Sequence, residues 1–213
     1  MNDCYFIVAP AKLNLNLFVK GKADNGLHLL ESDICFLELS DKIFFKFSKN
    51  DVFLQNNNKK SLLIDYKYNL VLESLNAFRY LTGWDKNFQI YLDKNIPIGA
   101  GLGGGSADAA ATLILLRKLF NKEKKSIKLS ISELYKIGNR LGSDIPACLK
   151  SKSLKISSYG NKIKRNKVPN NYYYLLVNPN IKLSTKEVFT HFSYFSHEMS
   201  NNNVDYLGNI GIY

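Results

Sequence analysis

The chain has 213 residues, 46% of them hydrophobic and 22% charged, and its 29 Lys and Arg against 18 Asp and Glu give a net charge of +11. This balance fits a folded domain and excludes a disordered chain, which would be poorer in apolar residues. No apolar run approaches the roughly 20 residues that span a bilayer, and the basic runs at 122–128 and 162–167 lack the interleaved aromatics of a single-strand binder, so neither a membrane nor a nucleic-acid partner is expected.

The N-terminus shows no basic segment followed by an apolar stretch and a small-residue cleavage site, so it reads without a secretory leader. Residues 5–19 read as strands interrupted at Pro10. After that proline, Leu13, Leu15 and Leu17 alternate with Lys12, Asn14 and Asn16, giving one aliphatic and one polar face. A lysine on such a polar face is ordinarily solvent-exposed. Residues 34–39 and 42–47 read as two further strands joined near Ser40-Asp41. Helical spacing at Leu72, Leu75 and Phe78 predicts a helix over 69–81, stopped by Gly83.

Residues 88–93 alternate again, and a glycine-rich loop follows, leading to a helix over 106–120. Ser130 and Glu133 form a capping-box signature for a helix that Gly142 would end. Residues 172–177 read as an aromatic and aliphatic strand, followed by a short helical pattern around 185–192. The mixture is α+β. Cys4, Cys35 and Cys148 are widely spaced, with no C-x-x-C pair, and predict reduced thiols of a cytoplasmic protein rather than disulfides or a zinc site.

The loop reads Pro97-Ile98-Gly99-Ala100-Gly101-Leu102-Gly103-Gly104-Gly105-Ser106-Ala107, with Asp108 next. Five glycines in seven positions let the backbone take positive φ and approach a ligand closely. Ser106 is expected to cap the helix that follows, whose free N–H groups and positive dipole end would face the loop. Such an arrangement is an anion site, and phosphate is its usual anion. The alternative is a merely flexible turn, which needs one or two glycines rather than five. A P-loop is excluded because Gly105 is followed by Ser106 and Ala107 with no lysine. Gly99, Gly101 and Gly104 satisfy G-x-G-x-x-G, but the preceding strand alternates and the helix leads into a charged stretch, not a second strand; the dinucleotide fold fails on context.

The loop resembles the phosphate motif P-x-x-x-G-L-G-S/G-S/G-S-A of the GHMP superfamily of ATP-dependent kinases. Pro10-Ala11-Lys12-Leu13-Asn14-Leu15 is similar to that superfamily's opening P-A-K-x-N-L, and Leu141-Gly142-Ser143-Asp144-Ile145-Pro146 to its L-G-x-D-V/I-P. The triple glycine resembles the branch that phosphorylates a cytidine-diphosphate alcohol in isoprenoid-precursor synthesis. The likeness runs from about residue 5 to 192.

That resemblance implies a two-domain fold. An N-terminal α/β domain like that of a ribosomal protein would span 1–155, and a partial ferredoxin-like domain would span 156–213. It implies ATP as phosphoryl donor, Mg²⁺ as the ion and a small cytidine-diphosphate alcohol as the other substrate. The loop from Pro97 to Ala107 would hold the triphosphate, and Ser106 would also contact phosphate or the metal. Asp144 would accept the proton of the substrate hydroxyl, with an Asx-type turn residue as its bland alternative. Lys12 would polarise that hydroxyl or steady Asp144. Asn69 corresponds to a position near the adenine, although a plain N-cap is the simpler account. Asn14, His28, Thr185 and Phe189 would contact the cytidyl substrate. In the segment Asp24-Asn25-Gly26-Leu27-His28, Leu27 stands where the branch has a stacking tyrosine, so one ring of the base sandwich is expected to be lost. The family's late G-T/S-G-A segment has no match, and Gly208-Asn209-Ile210-Gly211 does not supply one, so the chain is expected to be an incomplete kinase.

Overall fold

The structure is a computed structural model and describes residues 3–24, 26, 28–57, 60–62, 69–158, 162–166 and 172–177. Its elements run β1 (Cys4–Asn14), β2 (Phe18–Lys22), β3 (His28–Ser48), β4 (Val52–Asn57), β5 (Lys60–Leu62), α1 (Leu70–Thr82), β6 (Asn87–Lys94), α2 (Gly104–Glu123), α3 (Ile131–Leu141), α4 (Ile145–Lys150), β7 (Leu154–Ser158) and β8 (Lys162–Arg165). All eight strands share one sheet ordered β5-β4-β6-β3-β7-β8, with β1 and β2 also paired to β3. Every pairing is antiparallel except β4 with β6, whose crossover carries α1.

The long strand β3 is the spine. Its first half pairs with β2 and β7, its second half with β6, and β1 runs antiparallel along most of it. The expected break at Ser40-Asp41 does not occur, because Ser40 pairs with Pro10 and Asp41 with Ala9. Asp41 looks like a turn residue but is fully buried, its carboxylate being used by the neighbouring strand end. β1 likewise continues through Pro10, and the irregularity comes one step later as a register shift between Pro10 and Lys12. The polar face of this segment is the covered one. Lys12 and Asn16 are buried, whereas Leu17 is exposed.

Helix α1 begins after Asn69, whose side chain accepts a hydrogen bond from the Val71 N–H at 2.9 Å, and ends at Gly83 in the left-handed region. α2 packs on α1 and on β1 through Ala107, Ala109, Ala110 and Leu113, small residues that permit close approach. The core between sheet and helices is rich in rings: Trp84 packs edge-on against Phe47, Phe78, Phe88 and Phe120. α3 opens with the expected capping box, in which Glu133 accepts from the Ser130 N–H at 2.8 Å. Residues 172–177 do not form the expected strand; they have no regular structure, with Tyr173, Leu175 and Val177 turned to solvent. The expected helix at 185–192 lies outside the described residues. No helix among the described residues is long and apolar enough to cross a membrane.

Candidate active site

β6 delivers the chain to the glycine loop, and α2 receives it. The helix starts earlier than the sequence suggests, at Gly104, with Gly103 as its N-cap in the left-handed region (φ 63°). Ser106 therefore does not cap it. It lies within the first helical turn and is one of the residues that line the cleft. Gly99 and Gly101 also have positive φ, at 77° and 71°. A side chain at these positions would be strained, which is why the loop is built from glycine. Gly103 is tight as well as strained: a Cβ there would lie 3.3 Å from Cβ and Cε of Lys12.

The loop walls a cleft of about 420 Å³, lined without a break from Pro97 to Ser106 and completed by Gln55, Asn69, Leu70, Val71, Leu92, Lys94 and Asp108. Of the residues expected to hold nucleotide, only Ala107 falls outside the lining. It is buried instead, and its N–H closes the first turn on the Gly103 carbonyl at 2.8 Å. Asn69 both caps α1 and faces the cleft, so the two accounts of it are compatible.

On the loop's other flank stands the first expected pair. Lys12 Nζ lies 3.0 Å from Asp144 Oδ2, with the lysine side chain 6% exposed and the aspartate 37%. Asp144 precedes α4, but its side chain makes no capping hydrogen bond, so the turn-residue account of it does not hold here. The backbone joins pair and loop, because the Lys12 N–H donates to the Leu102 carbonyl at 2.9 Å. Behind Asp144, the thiol of Cys148 is pushed up to about 12 by burial, with the Asp144 charge adding to it and Lys12 opposing.

The substrate-side residues are less concentrated. The Asn14 side-chain amide donates to Ser32 Oγ at 2.9 Å, two residue pairs along the ladder from Lys12. His28 starts β3 opposite Lys22, eight residues from Phe36, the partner of Lys12. That is about 27 Å along a straight strand. Thr185, Phe189 and Leu27 lie outside the described residues. Between Asn14 and His28, Asp33 accepts from the amides of Asn16 (2.9 Å) and Asn166 (2.6 Å), tying the connection between β1 and β2, strand β3 and the chain after β8 together.

One group of residues was not anticipated. Lys94 Nζ contacts Asp41 Oδ2 and lies 2.8 Å from Asp108 Oδ2, all three side chains being at most 7% exposed. Burial raises the Asp108 carboxyl to about 7; Lys94 opposes this and the Asp41 charge adds to it. Burial alone would lower Lys94, but the two carboxylates outweigh it and raise it. One ammonium is thus shared by two buried carboxyl groups. A signal was available, since Lys94 continues the inward series Phe88, Ile90 and Leu92 of an alternating strand.

The mixed sheet and its packed helices thus place a left-handed glycine loop, which opens a helix, beside a lysine–aspartate pair whose lysine is buried and whose aspartate is a third exposed. The model of the family described as "GHMP kinases N terminal domain" matches residues 69–152, and the chain carries that domain. It is 35% identical over 181 residues to 4-diphosphocytidyl-2-C-methyl-D-erythritol kinase of Shewanella baltica, covering 85% of this chain and 61% of that protein. The kinase of the same name from Ruthia magnifica subsp. Calyptogena magnifica is 35% identical over 186 residues, covering 87% and 62%. The chain thus spans about three fifths of the length of the curated relatives it matches. A crystal structure of 4-(cytidine 5'-diphospho)-2C-methyl-D-erythritol kinase superposes with a TM-score of 0.63 at 27% identity, over 78% of this chain and 56% of that one. Homoserine kinase from Cytophaga hutchinsonii (TM-score 0.61, 19% identity, 89% and 60% covered) shares the fold.

Proposed function

We propose that the protein transfers the γ-phosphate of ATP to the 2-hydroxyl of 4-(cytidine 5'-diphospho)-2-C-methyl-D-erythritol, a step in making isoprenoid precursors. The observation that carries this reading is the Lys12–Asp144 pair standing against a glycine loop that feeds a helix N-terminus. Phosphoryl transfer asks little covalent chemistry of a protein and much positioning and charge stabilisation. The first-turn N–H groups of α2 and the loop backbone would receive the triphosphate, helped by the helix dipole. Asp144, a third exposed, is open to an alcohol and would take its proton as the oxygen attacks phosphorus. Lys12 would hold Asp144 in place and offset charge on the attacked phosphoryl group.

Mg²⁺, when bound, would supply positive charge that offsets the charge of the triphosphate. Mg²⁺ needs only one or two protein oxygens beside phosphate and water, which a hydroxyl on the cleft wall can supply. Ser106, on the cleft wall, is the residue we assign to it. Asn14, His28, Thr185 and Phe189 are assigned to the cytidyl substrate, in a cytoplasmic enzyme whose N-terminal domain extends to about residue 155.

The names of the relatives favour this acceptor over another alcohol. The test is ADP release measured with MgATP, with and without the cytidyl substrate. Turnover that depends on that substrate is expected. ATP binding without turnover would leave a nucleotide-binding remnant, and turnover on a different alcohol would move the protein within the family.

A further inference from the structure

Lys94, Asp41 and Asp108 do chemistry in none of the steps above, yet all three carry charged groups that are at most 7% exposed beside the loop. Asp41, in the middle of β3, accepts the Asn95 N–H at 2.6 Å and the Ile96 N–H at 2.8 Å, the two amides by which the chain leaves β6. It also receives the Lys94 ammonium. The same ammonium donates to Asp108, which sits on α2 just beyond the loop. A Cβ added to Gly104 would come 3.2 Å from Lys94 Nζ and 3.1 Å from Ile96 Cγ2, so the start of α2 rests directly on this group. One cation therefore ties the strand that leads into the loop to the helix that leads out of it.

Two buried carboxylates on one lysine are more than a salt bridge needs. The Asp108 Oδ1 has no hydrogen-bond partner among the described residues. A buried unsatisfied carboxylate oxygen costs stability, and such costs persist where the surroundings hold a working geometry. The charged groups acting on Asp108 are Lys94 on β6 and Asp41 on β3, and Asp108 in turn acts on Cys148 of α4, which also feels Asp144 and Lys12. Lys12 belongs to the other pair and supports the loop from the opposite side through the Leu102 carbonyl.

We infer that Lys94 is the positioning residue of the glycine loop, clamping its two ends through Asp41 and Asp108 so that the loop is held open for an oligophosphate anion before one arrives. The inference rests on the reading of the loop as a phosphate site, but the clamp itself is a property of the unliganded protein. Preorganisation of this kind strengthens binding because the loop's ordering is not charged to the ligand. Lys94 and Asp108 also line the cleft, and the part inferred for Lys94 is to act through its carboxylates on the loop backbone.

Two amides report the seating of the loop: the Lys12 N–H on the Leu102 carbonyl, and the Ala107 N–H on the Gly103 carbonyl. In ligand-free protein, Asp108→Asn and the charge-neutral Lys94→Met/Asp108→Leu should speed hydrogen exchange at these two amides at least tenfold. Amides of the β3–β6 ladder should exchange as in the wild type. Calorimetry with MgATP and with inorganic tripolyphosphate should show affinity lower by a similar factor for both anions. A role in stability alone would instead raise exchange everywhere and lower the melting temperature. Unchanged exchange at Lys12 and Ala107 in both variants would overturn the clamp. Faster exchange with wild-type protein that binds neither anion would keep the clamp and reject the phosphate reading.

Discussion

Asp144 and Cys148 lie one helical turn apart and meet opposite fates. Asp144 stays a third exposed against the Lys12 ammonium, whereas Cys148 is buried behind it. If Asp144 accepts the substrate proton, Asp144→Asn should lower kcat by about 10²–10⁴ while MgATP binding stays within a few-fold. ADP release and calorimetry check this, and an unchanged kcat would remove Asp144 from the chemistry. With its pKa near 12, Cys148 has essentially no thiolate at neutral pH, and Cys35 is also raised, by burial. Only Cys4 is exposed. Titration with a thiol reagent at pH 7.5 should therefore show one fast-reacting group, lost in Cys4→Ser. A second fast thiol would mean that α4 opens readily. At this scale Lys12 and Asp144 were legible in short motifs. Lys94 with Asp41 was not, because the two are 53 residues apart and only the pairing of β3 with β6 brings them together.

Between residues and the whole chain, the helix ends were the most readable features. Asn69, Gly83, Ser130 and Glu133 do what their chemistry predicts, since capping is settled within one turn. Where a local signal competes with a tertiary one, the tertiary one prevails. Asp41 in isolation marks a turn, but β3 runs straight through it because its carboxylate is used at the end of β6. Ser106 in isolation marks a helix start, but the left-handed glycines let α2 begin two residues sooner. Residues 172–177 are apolar enough for a strand yet have no ladder among the described residues. The loop's geometry also separates space from strain. Gly104 has no positive φ, so the obstacle to a side chain there is contact with Ile96 and Lys94. Gly104→Val should weaken MgATP binding at least tenfold, with a smaller proportional loss of thermal stability. Normal binding by that variant would mean that the glycines serve only as a turn.

At the scale of the molecule, stability converges on β3. The helical core reaches the sheet through Ile43, Phe45 and Phe88, while β7 is joined to the rest chiefly by its ladder with residues 30–34 of the same strand. Two regions far apart in sequence, around Trp84 and around Ile156, thus depend on one strand. Long-range pairing of this sort makes unfolding cooperative, because neither half keeps its partners when β3 is released. Trp84 is the single tryptophan, buried among four phenylalanine rings, so its fluorescence reports the core directly. In urea, the Trp84 transition and loss of the Leu154 and Ile156 amide signals should share one midpoint. Phe45 is fully buried and packs edge-on against Phe88 at 5.4 Å between ring centres. Phe45→Ala should cost about 3–5 kcal/mol by loss of burial and creation of a cavity. It should move both midpoints together, although Phe45 pairs with Tyr5 and Ile90 and not with β7. If the substitution shifted the Trp84 transition and left the β7 amides behind, the two halves of β3 would be separate units, and the spine would have to be redrawn as two strands.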